Sequence, residues 1–152
     1  MDRDLIYDVG VHNGNDTAYY LHCGYRVIGI EANPSLIEAL NERFAGEIAD
    51  GRLTLLNVGI SESDGQKEFW VCDDNTEWSS FNRDIARRNG SKHHAVAIDT
   101  VTLASVLARY GIPYYCKIDI AESDQPAWLR SIRQTFLHFA RWKCIMPAPI
   151  RR

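Results

Sequence analysis

The stretch DLIYDVGVHNGNDT at residues 4–17 decides the fold. Leu5 to Val9 is a short apolar run of the kind that forms a buried strand. It ends in Asp8-Val9-Gly10 and passes through Val11-His12-Asn13-Gly14 into a segment that carries Ala18 and Leu21 on one face. That spacing, stopped by Gly24, predicts a helix of about three turns from Gly14 to Cys23. Gly10 lets the backbone turn and lets a ligand approach closely, and Gly14 does the same where the helix begins. The amino end of such a helix offers free N–H groups to a polar or anionic ligand portion.

Working outward, Arg26 to Ile30 reads as the next strand and ends at Glu31. Asn33-Pro34 is a capping side chain followed by proline at the first helical position, with Leu36, Ile37, Leu40 and Phe44 as the buried stripe behind it. Leu53 to Val58 is a third strand. Strand, helix, strand, helix, strand is the doubly wound α/β order. Then Ser61 to Gly65 is turn-like, Glu68 to Cys72 a short strand, and Asp73 to Ser80 a polar loop around Trp78. Phe81 to Asn89 is read as helical, and His94 to Ile98 as a strand, antiparallel on an edge. Leu103, Val106, Leu107 and Tyr110 form a helix face ended by Gly111 and Pro113, and Tyr114 to Ile120 is the fourth principal strand. A further helix starts near Asp124 to Ile132.

Composition narrows the class. The 152 residues are enough for one domain with a real core. A net charge of -3 supplies no general cationic field, so no nucleic-acid partner is expected. The basic run Arg130, Arg133, Arg141, Lys143, Arg151 and Arg152 reads as a solvated tail, the alternative being a contact surface for an anionic partner. Cys23, Cys72, Cys116 and Cys144 are scattered, which favours a reducing compartment over a disulfide framework. The start resembles no signal peptide and no apolar run reaches roughly 18 residues, so no membrane span and a cytoplasmic location are expected.

Three strand tips carry the chemistry. Asp8 places a carboxylate suited either to ordering the glycine loop or to meeting a cationic ligand. Glu31 lies roughly 20 residues beyond Gly10, where a carboxylate accepts hydrogen bonds from ribose hydroxyls. NAD would use the same carboxylate, but its loop normally reads GxGxxG. Here the pattern is GxxxG with His12 inside it, and Asp8 suits a ligand with a positive end, so the reading tilts from NAD to S-adenosylmethionine. At Lys117-Ile118-Asp119-Ile120, charges inside an apolar run need a reason. Either Lys117 and Asp119 form a structural pair, or Asp119 faces the ligand crevice as a base, a hydroxyl-orienting group or a group that helps hold a divalent ion. Asn57 at the third strand tip lies where adenine would rest, and Trp78, Ser79 and Ser80 border the substrate side. His93-His94 lacks a well-spaced third ligand, so no metal is expected.

In their order and spacing, DLIYDVGVHNGNDT at 4–17, VIGIEANP at 27–34, LLNVGISESDG at 55–65, the serines at 79–80, AIDTVTL at 97–103 and YCKIDIAESD at 115–124 resemble the FkbM-type methyltransferases that depend on S-adenosylmethionine. The resemblance covers roughly residues 4–132. It implies a Rossmann-like fold and methyl transfer to hydroxyl oxygens of sugars, glycolipids or natural products. It also implies that Asp8, Gly10 and Gly14 form the cofactor loop, Glu31 holds the ribose, Asn57 lies near adenine and Asp119 faces the transfer site. Two departures from the family pattern stand out. Ala121-Glu122 replaces the glutamate-glycine pair that usually follows the lysine-isoleucine-aspartate strand, and residues 135–152 are unlike the family's continuation after a 1–134 core. The expectations are an incomplete sheet, a fourth strand whose open edge favours self-association, and, as alternatives to a methyltransferase, an NAD-binding oxidoreductase or an inactive remnant of the fold.

Overall fold

The computed structural model describes residues 2–120. Four strands form a parallel sheet in the order β3-β2-β1-β7: β1 (Asp2–Val9), β2 (Arg26–Ile30), β3 (Leu53–Leu56) and β7 (Pro113–Ile118). Helix α1 (Asn15–His22) links β1 to β2, and α2 (Pro34–Arg43) with α3 (Ala45–Ala49) links β2 to β3. Alternation along β1 sends side chains to both faces. Leu5, Tyr7 and Val9 pack with Leu103 and Val106 of α5 (Leu103–Tyr110) on one side. On the other side Leu21 of α1, Ile37 and Leu40 of α2 and Phe44 at the end of α2 close over Val27 and Leu53. The sheet therefore has one apolar layer per face.

A second sheet of three strands has the order β4-β6-β5: β4 (Gly59–Ile60), β5 (Gly65–Cys72) and β6 (His93–Val101). Strand β6 is antiparallel to β5 and parallel to β4. Phe69, Val71 and Ile98 form its small core, with Phe81 packed against it.

The described elements correct several boundaries. The first helix has 8 residues, a little over two turns, with the expected end residues Gly14 and Cys23 as its caps, and Gly24 at φ +88 follows it as the expected stop. The third strand stops at Leu56, and Gly59–Ile60 continues in the other sheet. The strand at 93–101 is central in its sheet rather than at an edge. Between Phe81 and Asn89 only α4 (Arg83–Ala86) is α-helical, and Asn89 at φ +55 breaks the continuation. The fourth principal strand ends at Ile118, leaving Asp119 and Ile120 beyond it. The cap at Asn33 forms as expected, its side chain accepting from Ser35 N with Pro34 at the helix start. The expectations for Ala121, Glu122, the helix near 124–132 and the tail at 135–152 lie outside the described residues. Among the described residues β7 pairs with β1 alone, and no helix is long and apolar enough to cross a membrane.

Candidate active site

The carboxyl ends of β1, β2 and β7 meet beneath a cleft of about 580 Å³. Its floor is Val9 to Asn13, Ile30, Glu31, Lys117 and Asp119, and its opposite wall is Phe69 and Thr76 to Phe81 from the second sheet.

Gly10 joins the two central tips. Its φ is +83, and a Cβ there would lie 1.9 Å from the carbonyl oxygen of Asp119. Glycine is thus required twice over, by the left-handed backbone and by the approach of the β7 tip. Gly10 N donates to Ile30 O at 2.8 Å and Asp119 N donates to Val9 O at 2.8 Å, so the three tips are held edge to edge. Gly14, at φ +79, has a different reason: a Cβ would strike Leu40 and Phe44 at 2.7 Å, so it allows α2 to pack against the start of α1.

Glu31 is buried and oriented by two backbone amides. His12 N donates to its Oε2 and Asn33 N to its Oε1, each at 2.9 Å. Each carboxylate oxygen has a second lone pair, so Glu31 can still accept from a ligand in the cleft that it lines. His12 is at φ +52, and its Nε2 hydrogen-bonds Thr76 Oγ1 at 2.9 Å, tying the glycine loop to the opposite wall. Its contact makes it a loop-ordering residue.

Asp8 does not line the cleft. It is fully buried, accepts from Thr17 Oγ1 at 2.7 Å, and lies 3.5 Å from Lys117 Nζ. Its contacts tie the tip of β1 to α1 through Thr17 and to β7 through Lys117. Burial pushes its pKa above the ordinary carboxylate range, against the opposing pull of Lys117 and Thr17. Burial alone would lower the Lys117 pKa, but its contact with Asp16 at 2.6 Å and the charges of Asp8, Asp16 and Asp119 outweigh it and hold the ammonium above its usual value. Lys117 and Asp119 do pair, at 3.7 Å, yet the pair belongs to a larger cluster, and Asp119 itself is exposed on the cleft.

Asn57 lies outside the lining, while Val58, Gly59 and Ile60 are in it. Its amide donates to the carbonyls of Glu31 at 2.9 Å and Ala32 at 3.0 Å, pinning the β2 tip. Ser79 Oγ accepts from Cys72 N and Ser80 Oγ from Asn82 N, so both hydroxyls shape the wall. His94 pairs with Asp73, and His93 Nδ1 donates to Ser91 O at 2.9 Å. Among the described residues no group of three His, Cys, Asp or Glu side chains is placed to hold a metal ion.

Two partners escaped the sequence reading: Thr17, which binds Asp8, and Asp16, which binds Lys117. Thr17 carried a signal, since it stands four residues before Leu21 and so on the buried face of α1.

These features define an α/β protein with a mostly parallel sheet and a ligand cleft at its strand tips. The family model "Methyltransferase FkbM domain" matches residues 8–125, and the chain belongs to that family. The crystal structure of methyltransferase FkbM from Methylobacillus flagellatus KT is similar in fold, with a TM-score of 0.58 at 18% identity over 92% of this chain and 32% of that one. A curated relative, "Probable ribosomal RNA small subunit methyltransferase A" of Methanospirillum hungatei JF-1, is 48% identical over 52 residues, which are 34% of this chain and 20% of the relative. The chain thus spans about a third or less of either protein's length.

Proposed function

We propose that the chain is the cofactor-binding core of a methyltransferase that uses S-adenosylmethionine and methylates a hydroxyl oxygen of a sugar, glycolipid or other small natural product. The observation that carries this reading is the convergence of Gly10, Glu31 and Asp119 on one cleft in a chain of the FkbM family. The residues present fit the cofactor. The cleft has the size of a small-molecule site, Glu31 keeps a free lone pair on each oxygen, and Gly10 offers bare backbone at the floor. The strand order β3-β2-β1-β7 supports a Rossmann-like reading of the sheet.

When bound, S-adenosylmethionine supplies an electrophilic methyl group on a positively charged sulfur and is left as S-adenosylhomocysteine, whose sulfur is neutral. The chain supplies position and proton handling. Glu31 takes the ribose hydroxyls. Gly10 and Gly14 set the loop, and Asp8 orders it from behind through Thr17 and Lys117. Asn57 keeps the β2 tip in place at the adenine end. Asp119 accepts the proton of the acceptor hydroxyl. An RNA acceptor, named for the curated relative, is not adopted: four carboxylates against Lys117 and Arg88 line this cleft.

Calorimetry with S-adenosylhomocysteine and with NAD on the same sample tests the class. Binding of the former and none of the latter is expected, and tight NAD binding alone would overturn the reading. A screen of hydroxyl compounds with methyl-labelled cofactor then identifies the acceptor. Failure of every acceptor despite cofactor binding would mark an inactive remnant.

A further inference from the structure

One lysine at the floor of the cleft faces three carboxylates. Lys117 Nζ lies 2.6 Å from Asp16, 3.5 Å from Asp8 and 3.7 Å from Asp119. Asp16 is within hydrogen-bond reach and the other two are ion-pair contacts, so one cation faces three acidic side chains and the cluster holds more acidic groups than basic ones. A second observation points the same way. Asp8 Oδ1 is buried without a hydrogen bond, 3.5 Å from Lys117 Nζ, while its Oδ2 accepts from Thr17. Asp16, Lys117 and Asp119 all line the cleft, and the backbone contact between Gly10 and Asp119 places the cluster beside the glycine loop.

We propose that this cluster makes the cleft charge-selective, so that it holds the cofactor with a positive sulfur more tightly than the spent cofactor with a neutral one. The proposal rests on the cofactor reading above and adds a property of the same site: release of the product is favoured by loss of the charge that the cluster attracts. The two molecules share their adenosine, amino and carboxylate groups and differ by one methyl and one charge, so their affinity ratio reports the field at the sulfur. Asp16 and Asp119 have side chains 55% and 54% exposed, so the ratio is read at low ionic strength, where screening is weak.

The experiment is calorimetry of the full chain with S-adenosylmethionine and S-adenosylhomocysteine, on the natural sequence, on Asp16→Asn and Asp119→Asn separately, and on Glu42→Gln as a control from the exposed side of α2. The natural sequence is expected to prefer S-adenosylmethionine about tenfold. Each cluster variant should narrow that ratio about threefold, the control should leave it unchanged, and added salt should narrow it as well. Circular dichroism establishes that each variant is folded. Equal affinities in the natural sequence, or a ratio unmoved by both cluster variants, would overturn the charge selectivity and leave the cofactor reading standing. Binding of neither molecule would overturn both.

Discussion

The two sheets of this chain obey different rules. Strands β1 and β2 are buried along most of their length and have apolar layers on both faces. Strands β5 and β6 leave most of their residues exposed or half-buried and enclose a small core around Phe69, Val71 and Ile98. The first sheet positions the tips that hold Gly10, Glu31 and Asp119, and the second brings Phe69, Trp78 and Phe81 across from them. The difference teaches where precision and latitude reside. A sheet packed on both faces transmits a displacement to the site, whereas a half-solvated one can change its lining without moving the floor.

The sharpest way to break the comparison is a pair of glycines. Gly10→Ala meets Asp119 O at 1.9 Å and is strained by φ. It should cost roughly 2–5 kcal/mol and abolish S-adenosylhomocysteine binding. Gly65→Ala, at the start of β5, has nothing within 4 Å of the new atom and retains only backbone strain. It should cost about 1–2 kcal/mol and leave binding intact. Denaturant unfolding and calorimetry read both, and equal effects would erase the distinction between the sheets.

Asp8→Asn probes the buried side of the first sheet. It replaces a buried carboxyl with an amide that is neutral at every pH, changing the contacts to Thr17 and Lys117, for roughly 1–3 kcal/mol. Its pH dependence has a definite sign. Burial raises the folded pKa of Asp8 above its unfolded value. The stability present at acid pH is therefore lost as pH climbs from the ordinary carboxylate range through the folded value. Asparagine has no such loss, so the penalty of Asp8→Asn should be largest at acid pH and shrink upward. A penalty that grows with pH would mean that the ionised form is the one the fold favours.

Trp78→Ala sharpens the comparison from the other side. Trp78 sits on a short turn from Thr76 to Trp78, partly exposed, and lines the wall of the cleft. Stability should fall by about 1 kcal/mol or less and cofactor affinity by less than about twofold, while methyl transfer to an acceptor falls about tenfold or more. An equal loss of cofactor affinity would assign this wall to the cofactor. At the small end, Arg87→Gln removes an exposed pair with Asp84 at 2.9 Å. It should change stability by less than about 0.5 kcal/mol in thermal unfolding.

Legibility followed the range of the interactions. The Asn33 cap was readable because donor, acceptor and proline lie within three consecutive residues. Glu31 was readable as a strand-tip carboxylate, though its two amide donors, from His12 and Asn33, were not. Asn57 showed its limit: the side chain assigned to the adenine end spends its amide on the Glu31 and Ala32 carbonyls. The third strand was drawn too long because Val58 and Ile60 continue its apolar run while Ile60 belongs to a different sheet.

By itself the sequence determined the alternation of buried strands and capped helices, the glycine loop, and the carboxylates at the strand tips. Each of these is a local preference of backbone or burial, expressed within a few residues. Only the tertiary structure decided that Asp8 turns away from the cleft to Thr17 and Lys117, that Gly10 is compelled by the carbonyl of Asp119, and that His12 reaches Thr76 across the site. Those outcomes depend on which faces pack together, and packing joins residues that no local pattern connects.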